Sequence, residues 1–192
     1  LLDGFSLSPF TLPLEKKVFM PKIDPFEGLF GAFDDSLPDG WGRLLVDRLM
    51  RKNGLNPEPL GCLDRLAIVG DSGMGALTYR PIISIENNYD DMPLDEVARL
   101  CRQILISEST ECLDYLFANG GSSGGARPKI LTKVNGEDWI IKFPSTTDSD
   151  DIGLQEYRYA QCAQNCGINV PEYRLFDSSK TEGFFGMKRF DR

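Results

Sequence analysis

The sequence contains no histidine and has fewer basic than acidic residues, and both shortages narrow its possible chemistry. Among 192 residues, His is absent, and 21 Lys and Arg stand against 29 Asp and Glu, a formal net charge of -8. Without His there can be no Ser–His or Cys–His nucleophile pair, and the commonest general base is missing. Because nucleic-acid binding needs clustered Lys and Arg, we expect no direct nucleic-acid contact. The acidic residues, including the run 148–151, are expected to form a solvated surface.

Long apolar runs and a disulfide pattern are also missing. No run approaches the roughly 18 apolar residues that span a bilayer. The N-terminus lacks the basic region of a signal peptide, so we expect a cytoplasmic protein without membrane contact. The 5 Cys are odd in number, and Cys162 and Cys166 lack two further nearby metal ligands. Buried free thiols in a reducing compartment are the expected state.

The chain divides into two halves of different character. Residues 1–88 are mixed and rich in turns, whereas residues 89–192 contain two helices followed by a β-rich lobe. The polar segment 86–91 is a candidate linker. An apolar share of 41% is sufficient for a hydrophobic core. We therefore predict two domains that meet near residue 88.

In the first half, the strongest pattern predicts a helix over residues 35–50. Ser36 can cap its N-terminus, Pro38 suits the first turn and Asp39 complements the helix dipole. The Asn-Gly pair at 53–54 ends it. The same patterns predict a short helix or strand at 63–69, a turn at 71–75 and a strand at 76–81.

In the second half, hydrophobic periodicity predicts a helix that begins near Leu94 and a short helix at 108–117. The strongest hairpin signal is Asn135-Gly136, which separates two apolar segments. Gly167 is expected to end a later helix. The predicted order of this lobe is β-β-α-β-β, with strands at 128–134, 138–143, 172–177 and 184–190 and the helix at 153–166.

A glycine-rich loop precedes the first of these strands. Glycine lets backbone amides approach a phosphate closely, and serine adds hydroxyl donors. The spacing fits neither a Walker A motif nor a dinucleotide-binding fingerprint. Taken alone, the loop is better interpreted as a flexible linker. Its candidate phosphate ligands are Gly121, Ser122, Ser123, Gly124 and Gly125.

One lysine and one glutamate give this loop a chemical context. In a strand, Lys142 faces the side opposite Trp139 and Ile141, where it is either an edge-strand gatekeeper or a cation for phosphate oxygens. Glu156 lies beside the apolar stripe of the next helix, where it is either solvated or paired with Lys142. A glycine-rich loop, a lysine strand and a glutamate helix in this order are the parts with which protein kinases hold ATP phosphates.

Eight short motifs together resemble the HipA family, the serine/threonine kinase toxins of bacterial toxin–antitoxin modules. The first half carries FSLSPF at 5–10, FDDSLPDGWGRLL at 33–45 and GMGAL at 73–77. The second half carries GSSGGARPK at 121–129, IKFP at 141–144, QEY at 155–157, NVP at 169–171 and KRFDR at 188–192.

The resemblance implies an α+β fold, with a HipA N-terminal subdomain over 1–88 and a kinase N-lobe with its preceding helices over 89–192. It implies that Lys142 contacts ATP phosphates and that Glu156 orients Lys142. Lys188 and Phe190 are then placed at the adenine hinge. In this family a loop serine is autophosphorylated, a position that Ser122 takes best, with Ser123 as the alternate.

The resemblance also implies what this chain does not contain. The catalytic Asp and the metal-binding Asn and Asp belong to a helical lobe expected beyond residue 192, and the first strands are expected upstream of residue 1. ATP and Mg²⁺ are the implied cofactors, and the chain alone is expected to be inactive. The implied partners are a DNA-binding antitoxin of the HipB type and a protein substrate such as an aminoacyl-tRNA synthetase. Two alternatives remain open, a non-catalytic module that binds an antitoxin or a separate kinase lobe, and a nucleotide-binding pseudokinase.

Overall fold

The computed structural model describes residues 4–71, 73–82, 92–107, 109–121 and 124–190. Helices in this part of the chain combine with a four-stranded antiparallel sheet, so the predicted α+β class is confirmed. No described helix is long and apolar enough to cross a membrane. The helices are α1 (Gly31–Asp34), α2 (Gly40–Lys52), α3 (Cys62–Val69), α4 (Leu94–Ile106), α5 (Leu113–Gly120) and α6 (Ile152–Asn165), and the strands are β1 (Lys129–Val134), β2 (Glu137–Lys142), β3 (Tyr173–Phe176) and β4 (Phe184–Lys188).

Helix α2 begins at Gly40, and the prediction that Ser36 caps it is wrong. Asp39 holds the N-cap position, while Ser36 accepts a hydrogen bond from the Tyr79 hydroxyl at 2.7 Å. Gly40 has a φ of 41°, a value that L side chains rarely adopt. Because a right-handed α-helix needs a φ of about -63°, a helix that started at Ser36 could not continue through Gly40, and α2 starts there instead. The predicted end is confirmed, since the last helical residue comes immediately before the Asn-Gly pair at 53–54.

Two further predictions for the segments around the domain boundary need correction. Residues 76–81 form no strand, because Tyr79 donates its N–H to the Gly70 carbonyl at 2.9 Å rather than to a ladder. Helix α5 begins at Leu113 rather than at residue 108 and continues through Gly120. The predicted linker 86–91 and the predicted boundary near residue 88 lie outside the described residues.

The sheet confirms the predicted order of the β-rich lobe. Its strands run β1-β2-β4-β3, and every neighbouring pair is antiparallel. Asn135 and Gly136 have φ values of 54° and 84°, as a type I′ hairpin requires. Helix α6 connects β2 to β3 and packs against β3 and β4. This arrangement places the end of β2 beside the first turns of α6.

One hydrophobic core joins helices from the first half to the sheet of the second. Helix α2 contributes Trp41 and Leu45, and one face of the sheet contributes Ile130, Ile141 and Phe184. Burial at about 25 cal/mol per Å² of apolar surface is the main force that holds these layers together. The first half is thereby fixed against the strands that carry the candidate site. The fully buried members also include Val46, Leu100, Ile104, Leu113, Leu116 and Phe143.

The prediction of buried thiols holds only in part. All five cysteines are free, and Cys101 is buried in helix α4, where burial raises the pKa of its thiol. Cys162 and Cys166 are exposed instead. Cys162 lies in the largely exposed C-terminal half of α6, and Cys166 is the C-cap that follows it.

Candidate functional site

Lys142 and Glu156 form the predicted ion pair. Lys142 is the last residue of β2, and its Nζ lies 2.6 Å from Oε2 of Glu156 in α6. Its ammonium also lies 5.6 Å from the centroid of the Phe185 ring. The two charged side chains are 35% and 20% exposed. Because the pair is partly shielded from water, its charges interact more strongly than those of a fully solvated pair.

Arg127, at the end of the glycine-rich loop, joins this pair and was not singled out from the sequence. Its Nη1 donates to Oε1 of Glu156 at 2.7 Å, and its Nε and Nη2 donate to the two carboxylate oxygens of Asp148 at 2.9 and 3.0 Å. Glu156 therefore holds one cation with each oxygen. Asp148 had been expected in a solvated acidic run, but its side chain is only 13% exposed.

The charges in this cluster stabilise one another. The hydrogen bond to Asp148, followed by the charges of Asp148 and Glu156, raises the pKa of Arg127. Burial alone would raise the pKa of Asp148, but hydrogen bonds from Ser145 and Arg127 outweigh it and lower that pKa. Arg127 and Asp148 are therefore ionised at neutral pH, as a charge-assisted fork requires.

Lys129 is a second cation on the same side of the sheet, and unlike Lys142 it is buried. It is the direct partner of Lys142 in the β1–β2 ladder, and it is 8% exposed. Its Nζ donates to the Gly124 carbonyl. Burial and the positive charge of Lys142 lower the pKa of Lys129. Like charges directly opposite each other are destabilising, and Glu156 offsets the charge of Lys142 in this pair.

The sequence contained a signal for Lys129 that was not used. A two-residue turn at Asn135-Gly136 fixes the register of the hairpin. In this register Val134 is opposite Glu137, and counting away from the turn along both strands places Lys129 opposite Lys142. No comparable signal exists for the Arg127–Asp148 contact, because it joins a loop to the β2–α6 connection through tertiary structure.

Helix α2 holds the described part of the glycine-rich loop. The backbone N–H of Gly125 donates to the Asp39 carboxylate. The backbone N–H of Trp41 donates to the Gly125 carbonyl at 3.0 Å. Gly125 has a φ of 88°, a conformation that favours glycine. Gly121 follows α5 directly. The predicted loop residues Ser122 and Ser123 lie outside the described residues.

Lys188 and Phe190 were predicted at the adenine hinge. In the structure their side chains do not lie beside that of Lys142. Lys188 pairs with Trp139 in the β2–β4 ladder, which places it on the opposite face of the sheet from Lys142. Its ammonium contacts Glu137, at the other end of β2. Phe190 is 78% exposed. The adenine contact remains a prediction for this region.

A cavity of about 510 Å³ lies on another side of the lobe and is called here the α4 cavity. It is bounded by helix α4, the segment 144–150 and the β3–β4 turn. Asp148 reaches both this cavity and the Arg127 fork, but Lys142 does not line it. Its other lining residues include Asp95, Arg99, Lys180 and Phe184.

Comparison with known families connects these features. A model described as the HipA N-terminal domain (Couple_hipA) matches residues 2–80, and one described as the HipA-like C-terminal domain (HipA_C) matches residues 121–192. The chain belongs to the HipA family. No curated protein matches the chain, and no solved structure matches it. Proteins of the HipA family are typically part of toxin–antitoxin modules.

The two matched regions divide the site between them. All four members of the ion-pair cluster lie in the HipA-like C-terminal domain, which also contains Lys129 and the glycine-rich loop. The HipA N-terminal domain supplies Asp39 and Trp41, which hold Gly125. The contact between α2 and the loop is thus a contact between the two HipA domains.

Proposed function

We propose that this chain is the ATP-binding part of a HipA-like serine/threonine protein kinase toxin of a toxin–antitoxin module. The observation that carries the proposal is the ion pair between Lys142 and Glu156, 2.6 Å long, on the sheet face that also carries Lys129. A lysine at a strand end, held by a helix glutamate beside a glycine-rich loop, is the arrangement with which protein kinases grip ATP phosphates.

In this proposal each group has a defined task at the phosphates. Lys142 neutralises phosphate oxygens as a compact point charge, and Glu156 keeps its ammonium extended from the end of β2. The backbone amides of Gly124 and Gly125 approach the phosphates closely, together with the hydroxyls of Ser122 and Ser123. Gly121 lies at the start of the loop, where its own N–H donates to the Phe117 carbonyl at 2.7 Å. Asp39 now accepts the hydrogen bond of the Gly125 N–H, so a phosphate would compete with Asp39 for this donor.

The described residues fit the nucleotide better than they fit its metal. Two cations, Lys129 and Lys142, and a glycine-rich loop suit an anionic triphosphate. Mg²⁺ would bridge phosphate oxygens in such a site. Glu156 and Asp148 already hold cations, so we assign no Mg²⁺ ligand among the described residues. We expect the chain alone to bind nucleotide without transferring phosphate.

The remaining parts of the proposal follow the family resemblance. Lys188 and Phe190 lie at the adenine end, where backbone groups bind the base. By the resemblance, Ser122 is the autophosphorylation site, with Ser123 as the alternate. A phosphate dianion there would compete with the γ-phosphate of ATP. The partners are a DNA-binding antitoxin of the HipB type and a cytoplasmic protein substrate such as an aminoacyl-tRNA synthetase.

Isothermal titration with a non-hydrolysable ATP analogue and Mg²⁺ tests the proposal. The wild type should bind, and Lys142→Met should weaken binding by about tenfold or more, since a charge-assisted contact is worth about 1.5–3 kcal/mol. Lys133→Gln is the matched control, because Lys133 is an exposed β1 lysine that pairs with Asp138 at 3.0 Å. Absence of binding by the wild type, or equal affinity of Lys142→Met, would overturn the proposal.

A second candidate is a non-catalytic module that binds an antitoxin or a separate kinase lobe. It is favoured by large apolar side chains that are exposed in the first half, among them Phe5, Phe10, Val18, Met20 and Ile23. Contiguous exposed apolar patches mark interaction surfaces, and these five side chains all fall within the short segment 5–23. In this case the chain should bind an antitoxin. The double variant Phe10→Ser/Val18→Ser should lose this binding, and Lys142→Met should leave it unchanged. Antitoxin binding that survives the double substitution would count against it.

A further inference from the structure

Arg127 connects three separate segments of the HipA-like C-terminal domain. Arg127 ends the glycine-rich loop, Asp148 lies in the β2–α6 connection and Glu156 lies in α6. The guanidinium bridges the two carboxylates with three hydrogen bonds of 2.7 to 3.0 Å. The other carboxylate oxygen of Glu156 accepts a hydrogen bond from Lys142. Four charged side chains are thus linked in a row, in the order Asp148, Arg127, Glu156, Lys142.

Asp148, at one end of this row of charges, is also held in place independently of Arg127. The Ser145 N–H donates to Oδ2 of Asp148 at 2.9 Å, which orients the carboxylate from its own segment. The planar guanidinium fork matches such a fixed carboxylate with two parallel bonds, a geometry that lysine cannot reproduce. Arg127 is therefore held in one orientation while it donates to Glu156.

This bridge decides the orientation of the Glu156 carboxylate. Oε1 accepts from Arg127 and Oε2 accepts from Lys142, so each oxygen has one cation. Without Arg127, Lys142 would be the one remaining hydrogen-bond partner of the Glu156 side chain among the described residues, and its four-carbon stem is itself flexible. Both side chains would then recover rotamer freedom, and the ammonium of Lys142 would no longer be fixed at the end of β2.

We propose that Arg127 is a positioning residue that couples the glycine-rich loop to α6 and holds Glu156 on Lys142. Its consequence for nucleotide affinity rests on the proposed function. The coupling itself is a property of the nucleotide-free protein, so the two are separable by experiment.

The nucleotide-free test is NMR spectroscopy of the full 192-residue chain. The scalar coupling across the hydrogen bond between Lys142 ¹⁵Nζ and Glu156 ¹³Cδ should be present in the wild type and lost in Arg127→Gln. Arg99→Gln is the matched control, because Arg99 makes a comparable fork with Glu96 in α4 and is 41% exposed against 38% for Arg127. The control should keep the coupling. Persistence of the coupling in Arg127→Gln would overturn the proposal, whether or not ATP binds.

Nucleotide affinity supplies the second readout, which distinguishes positioning from a merely structural role. Arg127→Gln should lower the affinity for the ATP analogue by about tenfold, as loss of one charge-assisted interaction implies. Arg127→Lys should not restore this affinity. In the Glu156→Gln background, Arg127→Gln should have no further effect, because both act through one group. Fully additive losses would overturn the proposal. A wild type that does not bind the analogue would refute the proposed function alone, and the NMR coupling would still decide the role of Arg127.

Discussion

Lys129 and Lys142 are direct partners in the β1–β2 ladder, so both side chains lie on the same face of the sheet. Glu156 binds Lys142, whereas no carboxylate among the described residues forms an ion pair with Lys129. A buried charge without a counter-ion is costly. Asp39 and Glu156 offset this cost only in part, so we infer that a bound anion would lower it further.

Inorganic tripolyphosphate should stabilise the wild-type chain against heat. The anion binds the native lysine pair and not the unfolded chain, so the Tm should rise with its concentration. Lys129→Met should reduce this rise by half or more, and Lys133→Gln should leave it unchanged. The measurement is differential scanning calorimetry at constant ionic strength. An equal rise in all three proteins would show that the anion acts elsewhere.

Stability should also depend on pH through Lys129, whose pKa is lowered from its usual 10.5 mainly by burial. The folded protein releases this proton more readily than the unfolded chain, so the electrostatic cost of charged Lys129 is full below its folded pKa. The cost disappears as the pH rises through that folded pKa towards 10.5. Of the charged groups that face Lys129, Lys142 lowers its pKa further, whereas Asp39 and Glu156 raise it and offset part of the effect of burial.

Urea unfolding of the wild type and of Lys129→Met between pH 7 and pH 10.5 measures this effect. The free energy of unfolding of the wild type should rise relative to that of the variant as the pH increases. A difference that stays constant over this range, or that changes in the opposite direction, would refute the assignment of Lys129 as a buried charged group.

Gly120 should tolerate no side chain, because it ends α5 where that helix touches β1. A Cβ at this position would overlap the Lys129 carbonyl and lie 3.3 Å from Nε1 of Trp41. Gly120→Ala should therefore cost about 1–3 kcal/mol of unfolding free energy, as overpacking of a close contact does. Gly61→Ala is the control, since its nearest neighbour would be Asp64 Oδ2 at 3.5 Å and its φ of -74° is ordinary. Equal stability of the two variants in urea would contradict this account of the α5–β1 contact.

Asp95 should make the docking of the β3–β4 turn onto α4 sensitive to acid. Its carboxylate accepts hydrogen bonds from the Ser178 and Ser179 hydroxyls, both at 2.6 Å, and from the Ser179 N–H at 2.9 Å. The bond from Ser178, then those from Ser179, lower the pKa of Asp95 below its usual 3.8. The stabilisation is present above pH 3.8 and is lost as the pH falls through the lowered pKa.

The check for Asp95 is the Tm of the wild type and of Asp95→Asn as a function of pH. The wild type should be more stable above pH 4, and the gap should close at more acidic pH. Ser178→Ala should reproduce part of the loss above pH 4. A gap that persists unchanged at pH 2 would exclude a contribution from the ionised carboxylate.

The sequence predicted the parts of the site that depend on local pattern and failed where tertiary contacts decide. The Asn135-Gly136 turn determines the hairpin register, and the alternation along β2 places Lys142 opposite the core, so its pairing with Glu156 was predictable. The contact between Asp39 and Gly125 joins residues 86 positions apart, and no local periodicity encodes it. For the same reason the Arg127–Asp148 fork was missed and the acidic run was expected to be solvated.

The failed strand at 76–81 has a similar cause. The segment has a β-type composition, but residues 76, 80 and 81 are bends, and the Tyr79 N–H donates to the Gly70 carbonyl instead of pairing with the edge of another strand. Local propensity is a weak guide when the pairing partner is not specified.

We expect a triphosphate to bind at Lys142 and the glycine-rich loop rather than in the α4 cavity. Backbone NMR titration of the full chain with the non-hydrolysable ATP analogue and Mg²⁺ distinguishes these two sites. The amide signals of Gly124, Gly125 and Lys142 should shift together with one affinity, and Lys142→Met should abolish these shifts. Shifts confined to the α4 cavity, at residues such as Arg99 and Lys180, would contradict this expectation.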